Sequence, residues 1–334
     1  MKRLLLLAAA GLLAVTVSLS GAGNRPARAI YVSVTGSNED PGTKARPLRS
    51  IEDALRRARP GDTIHVAPGD YRERLVTVHS GAAGAPITLA GSRGARITGD
   101  GSGRQIQIRN DYITVRGLTV GDADKLIWIE GAHHVEIVDD RLENGGGECI
   151  RIKYFSTHVL IAHDTIDHCG LTGFDLARNE HNGEGVYIGT DPGQLARNPS
   201  HSPDASDHNV VTGNTIATYA AECVDIKEAA EHNLVAGNDC SHSRDPNGSG
   251  FDARGNDNTF RGNVSAANAG AGIRFGGYHG QGIHETAVGN VAVGNAGFGF
   301  LVLRRPQGRI CGNVVRQSGR GVVNVAGIDP TARC

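Results

Sequence analysis

The stretch NVVTGNTI, residues 209–216, recurs along the chain with small changes. Two copies follow as NLVAGNDC (233–240) and NTFRGNVS (258–265), and two shorter ones as AVGNVAV (287–293) and RICGNVV (309–315). The Gly-Asn pairs of these five copies are separated by 24, 25, 27 and 23 residues. Upstream, ITVRGLTV (113–120), VEIVDDRL (135–142) and VLIAHDTI (159–166) keep the spacing without the Gly-Asn pair. A period of about 20–50 residues is typical of repeat architectures.

A second series of short segments lies between these copies, and each segment alternates in side-chain character. It comprises LIWIE (126–130), CIRIK (149–153), GVYIG (185–189), CVDIK (223–227), GFDAR (250–254), GIRFG (272–276) and GFLVL (299–303). Alternation with period 2 predicts strands that bury one face. A unit of about 24 residues with two or three such strands cannot bury its apolar face alone, so it must stack on its neighbours.

The sequence therefore predicts an all-β fold, a right-handed parallel β-helix with coils of about 24 residues. A β-sandwich is the alternative, although its strands recur about every 8–12 residues without a long repeat. The recurrent asparagine fits a turn position that tolerates left-handed backbone and stacks its amide on the next coil. A role in ligand binding is the other interpretation of this asparagine.

One segment, RSIEDALRRARPGD (49–62), has the pattern of a helix. Ser50 suits the N-cap and Pro60-Gly61 suits the stop. The apolar residues share one face: Ile51, Ala54, Leu55 and Ala58. We expect this helix to cap the exposed first coil.

The N terminus has the pattern of a secretory signal peptide over residues 1–29. Lys2 and Arg3 precede an apolar run, and Ala27-Arg28-Ala29 offers a cleavage site between small residues. A membrane anchor is the alternative, but the run is shorter than the roughly 20 residues of a spanning helix. We expect a secreted, extracellular chain in which residues 30–100 form the cap and first coils. Residues 101–334 continue the same domain as the parallel β-helix.

Composition supports an exported protein built from tight turns. The chain has 47 glycines, one methionine and a net charge of −1. From the balanced charge we expect a chain that binds neither nucleic acid nor membrane. We also expect a monomer. The six cysteines suggest three disulfides. Equivalent positions in their coils favour Cys149–Cys169 and Cys223–Cys240, and Cys311–Cys334 could staple the last coil. Six cysteines allow 15 pairings, so this connectivity is a hypothesis.

Stacking the second series of strands places their outward residues in two columns. The first column is Trp128, Arg151, Tyr187, Asp225, Asp252, Arg274 and Leu301. The second is Glu130, Lys153, Gly189, Lys227, Arg254, Gly276 and Leu303. The inward residues are uniformly apolar: Ile127, Ile150, Val186, Val224, Phe251, Ile273 and Phe300.

Like charges become neighbours in these columns, since stacked strands lie about 4.8 Å apart. Asp225 would lie beside Asp252, and Lys227 beside Arg254, which destabilises a sheet unless something neutralises the charges. A bound cation and a bound anion would do so, and cross-paired ion pairs are the alternative. Insertions at 173–183 and 190–207 favour a cleft at this face. Tyr187 and Trp128 suit stacking against sugar rings, or are ordinary surface residues.

Residues 31–73, YVSVTGSNEDPGTKARPLRSIEDALRRARPGDTIHVAPGDYRE, resemble the opening segment of polysaccharide lyase family 9 pectate lyases. The remainder resembles parallel β-helix proteins of the pectate-lyase-like superfamily. In that family a lysine acts as base beside a calcium ion held by aspartates. The resemblance implies Lys227 as the base, with Asp225 and Asp252 as calcium ligands. The family's adjacent Asp-Asp pair is not on this face, since Asp139-Asp140 lies on another strand of the coil.

The function that follows is β-elimination on an acidic, uronic-acid-containing polysaccharide. We expect Lys227 to have a lowered pKa because of Arg254 and a partly dehydrated cleft, and Arg254 and Arg274 to clamp the uronate carboxylate. Arg151, Lys153, Tyr187 and Trp128 would bind neighbouring sugars. A glycoside hydrolase using Asp225 and Asp252 and a non-catalytic glycan-binding protein are the alternatives.

Overall fold

A computed structural model describes residues 26–334. The predicted signal peptide lies outside the described residues except for 26–29. Between residues 26 and 334, no helix has the length and apolar character needed to cross a membrane.

The strands of the described chain form three long parallel sheets. The first contains β1 (Ala29–Val32), β2 (Thr63–Val66), β5 (Ile87–Ala90), β8 (Ile113–Arg116), β11 (Glu136–Val138), β14 (Leu160–Ala162), β19 (Val210–Thr212), β22 (Leu234–Ala236), β25 (Thr259–Arg261), β28 (Thr286–Val288) and β31 (Ile310–Cys311). The second contains β4 (Leu75–Val76), β7 (Arg104–Ile108), β10 (Lys125–Glu130), β13 (Ile150–Lys153), β18 (Val186–Ile188), β21 (Val224–Ile226), β24 (Ser249–Ala253), β27 (Ala271–Phe275) and β30 (Phe300–Val302). The third contains β3 (Gly69–Tyr71), β6 (Ala95–Thr98), β9 (Thr119–Ala123), β12 (Arg141–Gly145), β15 (Thr165–Asp167), β20 (Thr215–Ala217), β23 (Asp239–Ser241), β26 (Val264–Ala266), β29 (Val291–Val293) and β32 (Val314–Arg316).

Each central coil contributes one strand to each sheet, and strands at equivalent positions in successive coils pair in parallel. In the second sheet, for example, Val186 pairs with Val224, which pairs with Phe251. These inward residues are fully buried and line a continuous apolar core along the helix axis. The predicted all-β parallel β-helix is confirmed.

The recurrent asparagines form hydrogen-bonded ladders between coils. In the ladder Asn214–Asn238–Asn263–Asn290–Asn313, each side-chain oxygen accepts the backbone N–H of the preceding member. The predicted amide stacking is therefore present, but the left-handed residue is the glycine before each asparagine, such as Gly237 with φ 62°. Asp140 and Asp164 continue this ladder upstream, since Asp164 accepts from the Asp140 N–H. The Asp139-Asp140 pair thus supplies a structural carboxyl group.

The helix α1 (Ile51–Arg57) packs against β1, β2 and β4 at the first coils, as predicted for a cap. The Ser50 hydroxyl accepts the Asp53 N–H at 3.2 Å. The helix is shorter than the predicted segment and ends before Pro60-Gly61, with Ala58 as its C-cap.

The predicted disulfides Cys149–Cys169, Cys223–Cys240 and Cys311–Cys334 are all present. The insertions fold into small elements of their own. They are the antiparallel pair β16 (Phe174–Asp175) and β17 (Glu180–His181), and the 3₁₀ helices Leu176–Arg178 and Pro192–Arg197. A third 3₁₀ helix, Tyr278–Gly280, lies after β27.

Candidate active site

The outward column predicted for the second sheet is present in the strand pairing. The paired residues are Trp128, Arg151, Tyr187, Asp225, Asp252, Arg274 and Leu301. Most of this face is buried, although the residues point away from the core: Arg151, Tyr187, Asp225 and Asp252 all have little exposed surface. Something other than the core therefore covers them.

The insertion at 190–207 provides part of that cover. Gln194 accepts a hydrogen bond from the Arg151 guanidinium at 3.1 Å. The Asp191 N–H donates to the Tyr187 hydroxyl oxygen at 3.2 Å. This loop forms a wall beside the charged face, and it fixes the outward side chains in a partly dry environment.

The charged residues of the face neutralise one another. The Lys227 Nζ lies 2.5 Å from Asp225 Oδ2, and Arg254 Nε donates to Asp252 Oδ2 at 2.9 Å. Arg274 also binds Asp252, with Nε 2.9 Å from Oδ1. Arg254 reaches Asp225 Oδ2 at 3.7 Å and so links the two carboxylates. The structure thus has ion pairs where the sequence left a bound cation or an ion-pair ladder open.

The expectation of a lowered Lys227 pKa is wrong. Burial lowers the pKa of this lysine, but the attraction of the Asp225 carboxylate outweighs burial and raises it. The pKa of Asp252, in contrast, is lowered. Burial raises the pKa of its carboxyl group, and the Arg274 and Arg254 guanidinium groups outweigh burial and hold that pKa at about 2. Lys227 and Asp252 are consequently both charged at neutral pH.

Lys153 is the buried lysine with a lowered pKa. Burial, aided by repulsion from Arg151, lowers the pKa of Lys153 to about 8. Its Nζ lies 4.1 Å from the ring centroid of Tyr154 and 5.2 Å from that of Trp128. It is two coils from Lys227, at roughly 10 Å.

The two aromatic residues predicted to stack on sugars are stacked on cations of the protein. The Arg104 guanidinium lies 3.7 Å from the Trp128 ring centroid. The Arg151 guanidinium lies 3.9 Å from the Tyr187 ring centroid, and the Lys227 Nζ lies 4.6 Å from it. These rings hold the cations in place and leave little free surface for a sugar.

Three glutamates missed by the sequence interpretation lie beside the face. Glu148, Glu184 and Glu222 occupy the same position in successive coils, two residues before the first residue of β13, β18 and β21, and all three are buried. Burial raises the pKa of Glu184 to about 8 and that of Glu222 to about 7. The signal was present in the sequence, because ECIRIK and ECVDIK both begin with this acid.

Glu184, Glu222 and Asp225 could hold a metal ion, since they offer carboxylate oxygens within 4.8 Å of one another. An all-oxygen set of carboxylates suits a hard cation such as calcium. Asp252, predicted as the second calcium ligand, does not belong to this group because both of its oxygens bond to arginines.

Part of the chain is similar to a protein of Bacillus subtilis. The uncharacterized protein YwoF of Bacillus subtilis (strain 168) is 31% identical over 111 residues, which are 32% of this chain and 20% of that protein. The alignment thus spans about a fifth of that relative's length.

Solved structures share the whole architecture. An alginate lyase from Paenibacillus sp. str. FPU-7 has 23% identity and a TM-score of 0.70, covering 89% of this chain and 99% of that one. Pectate lyase Pel9A has 16% identity and a TM-score of 0.68, covering 92% and 79%. A rhamnogalacturonan lyase has 14% identity and a TM-score of 0.68, covering 92% and 87%.

The family described as "Pel9A-like, right handed beta helix region" matches residues 30–310. This match confirms the resemblance and the predicted handedness of the coils. Because it spans nearly the whole described chain, the protein belongs to the Pel9A-like right-handed β-helix family.

Proposed function

We propose that the protein is a secreted polysaccharide lyase that cleaves a uronic-acid-containing polysaccharide by β-elimination. The observation that carries the proposal is the cluster of Lys227, Arg254 and Arg274, a concentration of cations beside Tyr187 on one walled face. Lyases of three acidic polysaccharides share the fold, which supports the same substrate class here.

Arg254 is the group best placed to neutralise the uronate carboxylate. Its side chain is 18% exposed, more than those of Arg274 and Lys227. Asp252 fixes its Nε, so the guanidinium is oriented before substrate binds. Neutralising the carboxylate acidifies the adjacent C–H and stabilises the enolate-like intermediate, the main electrostatic requirement of β-elimination. Arg274, held by Asp252 and by the Asn247 carbonyl oxygen at 2.6 Å, would support the same charge.

Lys227 is the proposed base, and its ion pair with Asp225 supplies a route to the neutral amine. The ammonium first transfers a proton to Asp225 Oδ2 across 2.5 Å, leaving a neutral amine and a neutral acid. The amine then takes the C–H proton, the new double bond forms, and the bond to the glycosidic oxygen breaks.

Tyr187 is the proposed proton donor to the leaving oxygen. Burial raises the pKa of its phenol well above the usual range, so the hydroxyl stays protonated at neutral pH. Lys227 lies beside its ring, and this proximity supports a role for the two residues as base and acid on the same side of a bound sugar. Arg151, Lys153 and Trp128 lie on the coils before Tyr187 and would contact neighbouring sugars through the cationic groups.

Calcium would be held by Glu184, Glu222 and Asp225, and when bound it supplies further positive charge for the substrate carboxylate. The proton transfers proposed above use Asp225 as the proton acceptor, so they belong to the cluster without calcium.

The hydrolase alternative is favoured by one observation, the raised pKa of Glu222. A general acid must be protonated, which Glu222 with a pKa of about 7 satisfies and Asp252 with a pKa of about 2 does not.

The test is incubation of the purified chain with pectate, alginate, glucuronan and glycosaminoglycans, with calcium and with chelator. Ultraviolet absorbance of an unsaturated product, lost in Lys227→Ala, supports the lyase. New reducing ends without absorbance would indicate a hydrolase. Retained sugar binding without either product, unchanged in Lys227→Ala, would indicate a binding protein.

Secretion is supported by the signal-peptide pattern and by the three disulfides, which persist in oxidising compartments. The test is N-terminal sequencing of the exported protein, which should begin near Ile30. An intracellular chain that retains Met1 would contradict it.

A further inference from the structure

A pocket lies at the C-terminal end of the charged face, where Arg254 and Arg274 form one side of it. It has a volume of about 410 Å³ and lies between Arg254, the loop after β27, and the residues after β30. Glu228, Tyr278, Leu303 and Arg304 line it. None of these four residues has a role in the reaction proposed above.

The pocket exists because one coil carries a longer loop. Five residues separate β24 from β25, whereas ten separate β27 from β28. The extra residues are tied down: the Tyr278 N–H donates to Glu228 Oε1 at 2.9 Å, and the Ala229 N–H donates to Gln281 Oε1 at 2.6 Å. Glu228 and Ala229 follow β21, two coils before β27, so these bonds fix the loop as a wall across two coils.

The wall presents an aromatic ring to solvent. Tyr278 is 59% exposed although its backbone is anchored. An exposed tyrosine with a fixed backbone offers a flat apolar face at little entropic cost on binding. Leu303, half exposed on the next coil, extends the apolar surface.

The polar groups of the pocket match an anionic sugar. Arg304 is exposed, and its Nε donates to the Gly277 carbonyl oxygen at 3.1 Å, which holds the guanidinium at the rim. Glu228 is only 4% exposed, and within residues 26–334 its Oε2 atom has no hydrogen-bond partner. A buried acceptor without a donor is costly, so a ligand hydroxyl that donates to it is favoured.

We propose that this pocket is a subsite for a second uronate unit of the same polysaccharide chain. Tyr278 stacks on the sugar ring, Arg304 pairs with the carboxylate, and Glu228 Oε2 accepts a sugar hydroxyl. The inference rests on the proposed lyase function, because the first unit is the one held at Arg254. Arg304 follows β30 and Arg254 follows β24, so the substrate runs across the coils, along the helix axis.

The test is calorimetric titration of uronate oligosaccharides of increasing length into the full mature chain carrying Lys227→Ala, which prevents turnover. In this Lys227→Ala background, the further substitution Tyr278→Ala should weaken the binding of long oligosaccharides about tenfold. The shortest oligosaccharides, which fill only the Arg254 position, should change less than about twofold. Tyr278→Phe should bind like tyrosine, and Tyr219→Ala, a half-exposed tyrosine on another face, should have no effect.

Arg304→Gln provides an independent measurement. This substitution should weaken the binding of long uronate oligosaccharides about fivefold. The binding of carboxyl-reduced oligosaccharides should be unchanged, because only the carboxylate contact is lost. If the wild-type chain cleaves a uronan but neither variant alters long-chain binding, the subsite is refuted and the lyase stands. If no uronan is bound or cleaved at all, both proposals are overturned.

Discussion

Asp252→Asn should destabilise the protein by about 3 kcal/mol, because Asp252 is the shared anion of two buried arginines. Removing one partner of a buried ion pair costs about 3–5 kcal/mol. The lower end applies here, since Arg254 and Arg274 keep some solvent exposure and retain weaker contacts with Asp225 at 3.7 Å and Glu222 at 3.6 Å.

The assay is urea unfolding of the wild type and of Asp252→Asn at neutral pH, with the free energy of unfolding compared at equal slope. Asp239→Asn is the matched control, since Asp239 is exposed and should change stability by less than about 0.5 kcal/mol. The pH dependence gives a second check. Because the folded pKa of Asp252 is lowered to about 2, its contribution is full above the unfolded value near 4 and disappears as the pH falls towards 2.

A loss below about 1 kcal/mol would refute the argument that Asp252 anchors the arginines. A loss that appears only when calcium is present, and vanishes with chelator, would show instead that Asp252 is a metal ligand. Either result would require a different account of how Arg254 is held.

Three further predictions concern the base, a binding lysine and the ladder. Lys227→Ala should lower kcat about 10²–10⁴-fold while uronate binding is largely kept; an active variant would remove the proposed base. With a pKa of about 8, the Lys153 ammonium should bind an anionic substrate below pH 8 and lose its charge above it. KM should therefore rise above pH 8 in the wild type but not in Lys153→Arg, and identical profiles would contradict this role. Asn238→Ala removes the acceptor of the Asn214 N–H and a donor to the Val211 carbonyl oxygen, and should lower the free energy of unfolding in urea by about 2–4 kcal/mol. A neutral effect would show that the ladder is not stabilising.

The sequence was sufficient to predict which residues of the site are neighbours, because the β-helix fold allows few other arrangements of its strands. Alternation with period 2 decides which residues point inward, and the coil repeat decides which strands are neighbours. Tyr187, Asp225 and Asp252 therefore came together as predicted. The disulfides followed for the same reason, since equivalent positions in a coil are equally close.

The charge state of Lys227 and the burial of the outward face could not be predicted, because both depend on the contacts that individual side chains and loops make. Period 2 places Asp225 and Lys227 on one face, but not their oxygen and nitrogen at 2.5 Å, which raises the lysine pKa instead of lowering it. The sequence prediction also assumed that the outward face of the second sheet is open to solvent. The loop at 190–207 folds over it, so Tyr187 and Arg151 are buried in spite of pointing outward.

The asparagine ladder and the charged cluster occupy different parts of each coil. The asparagine ladder lies between the first and third sheets, where the repeat is most regular. The charged cluster lies on the second sheet, and the interruptions of the repeat at 173–183, 190–207 and 276–285 surround it. A buried group of charges is costly unless its partners are held in fixed geometry. The ladders supply that rigidity from the opposite part of the coil, between the first and third sheets. Loop insertions can therefore reshape the cleft without loosening the strands that carry Asp225 and Asp252.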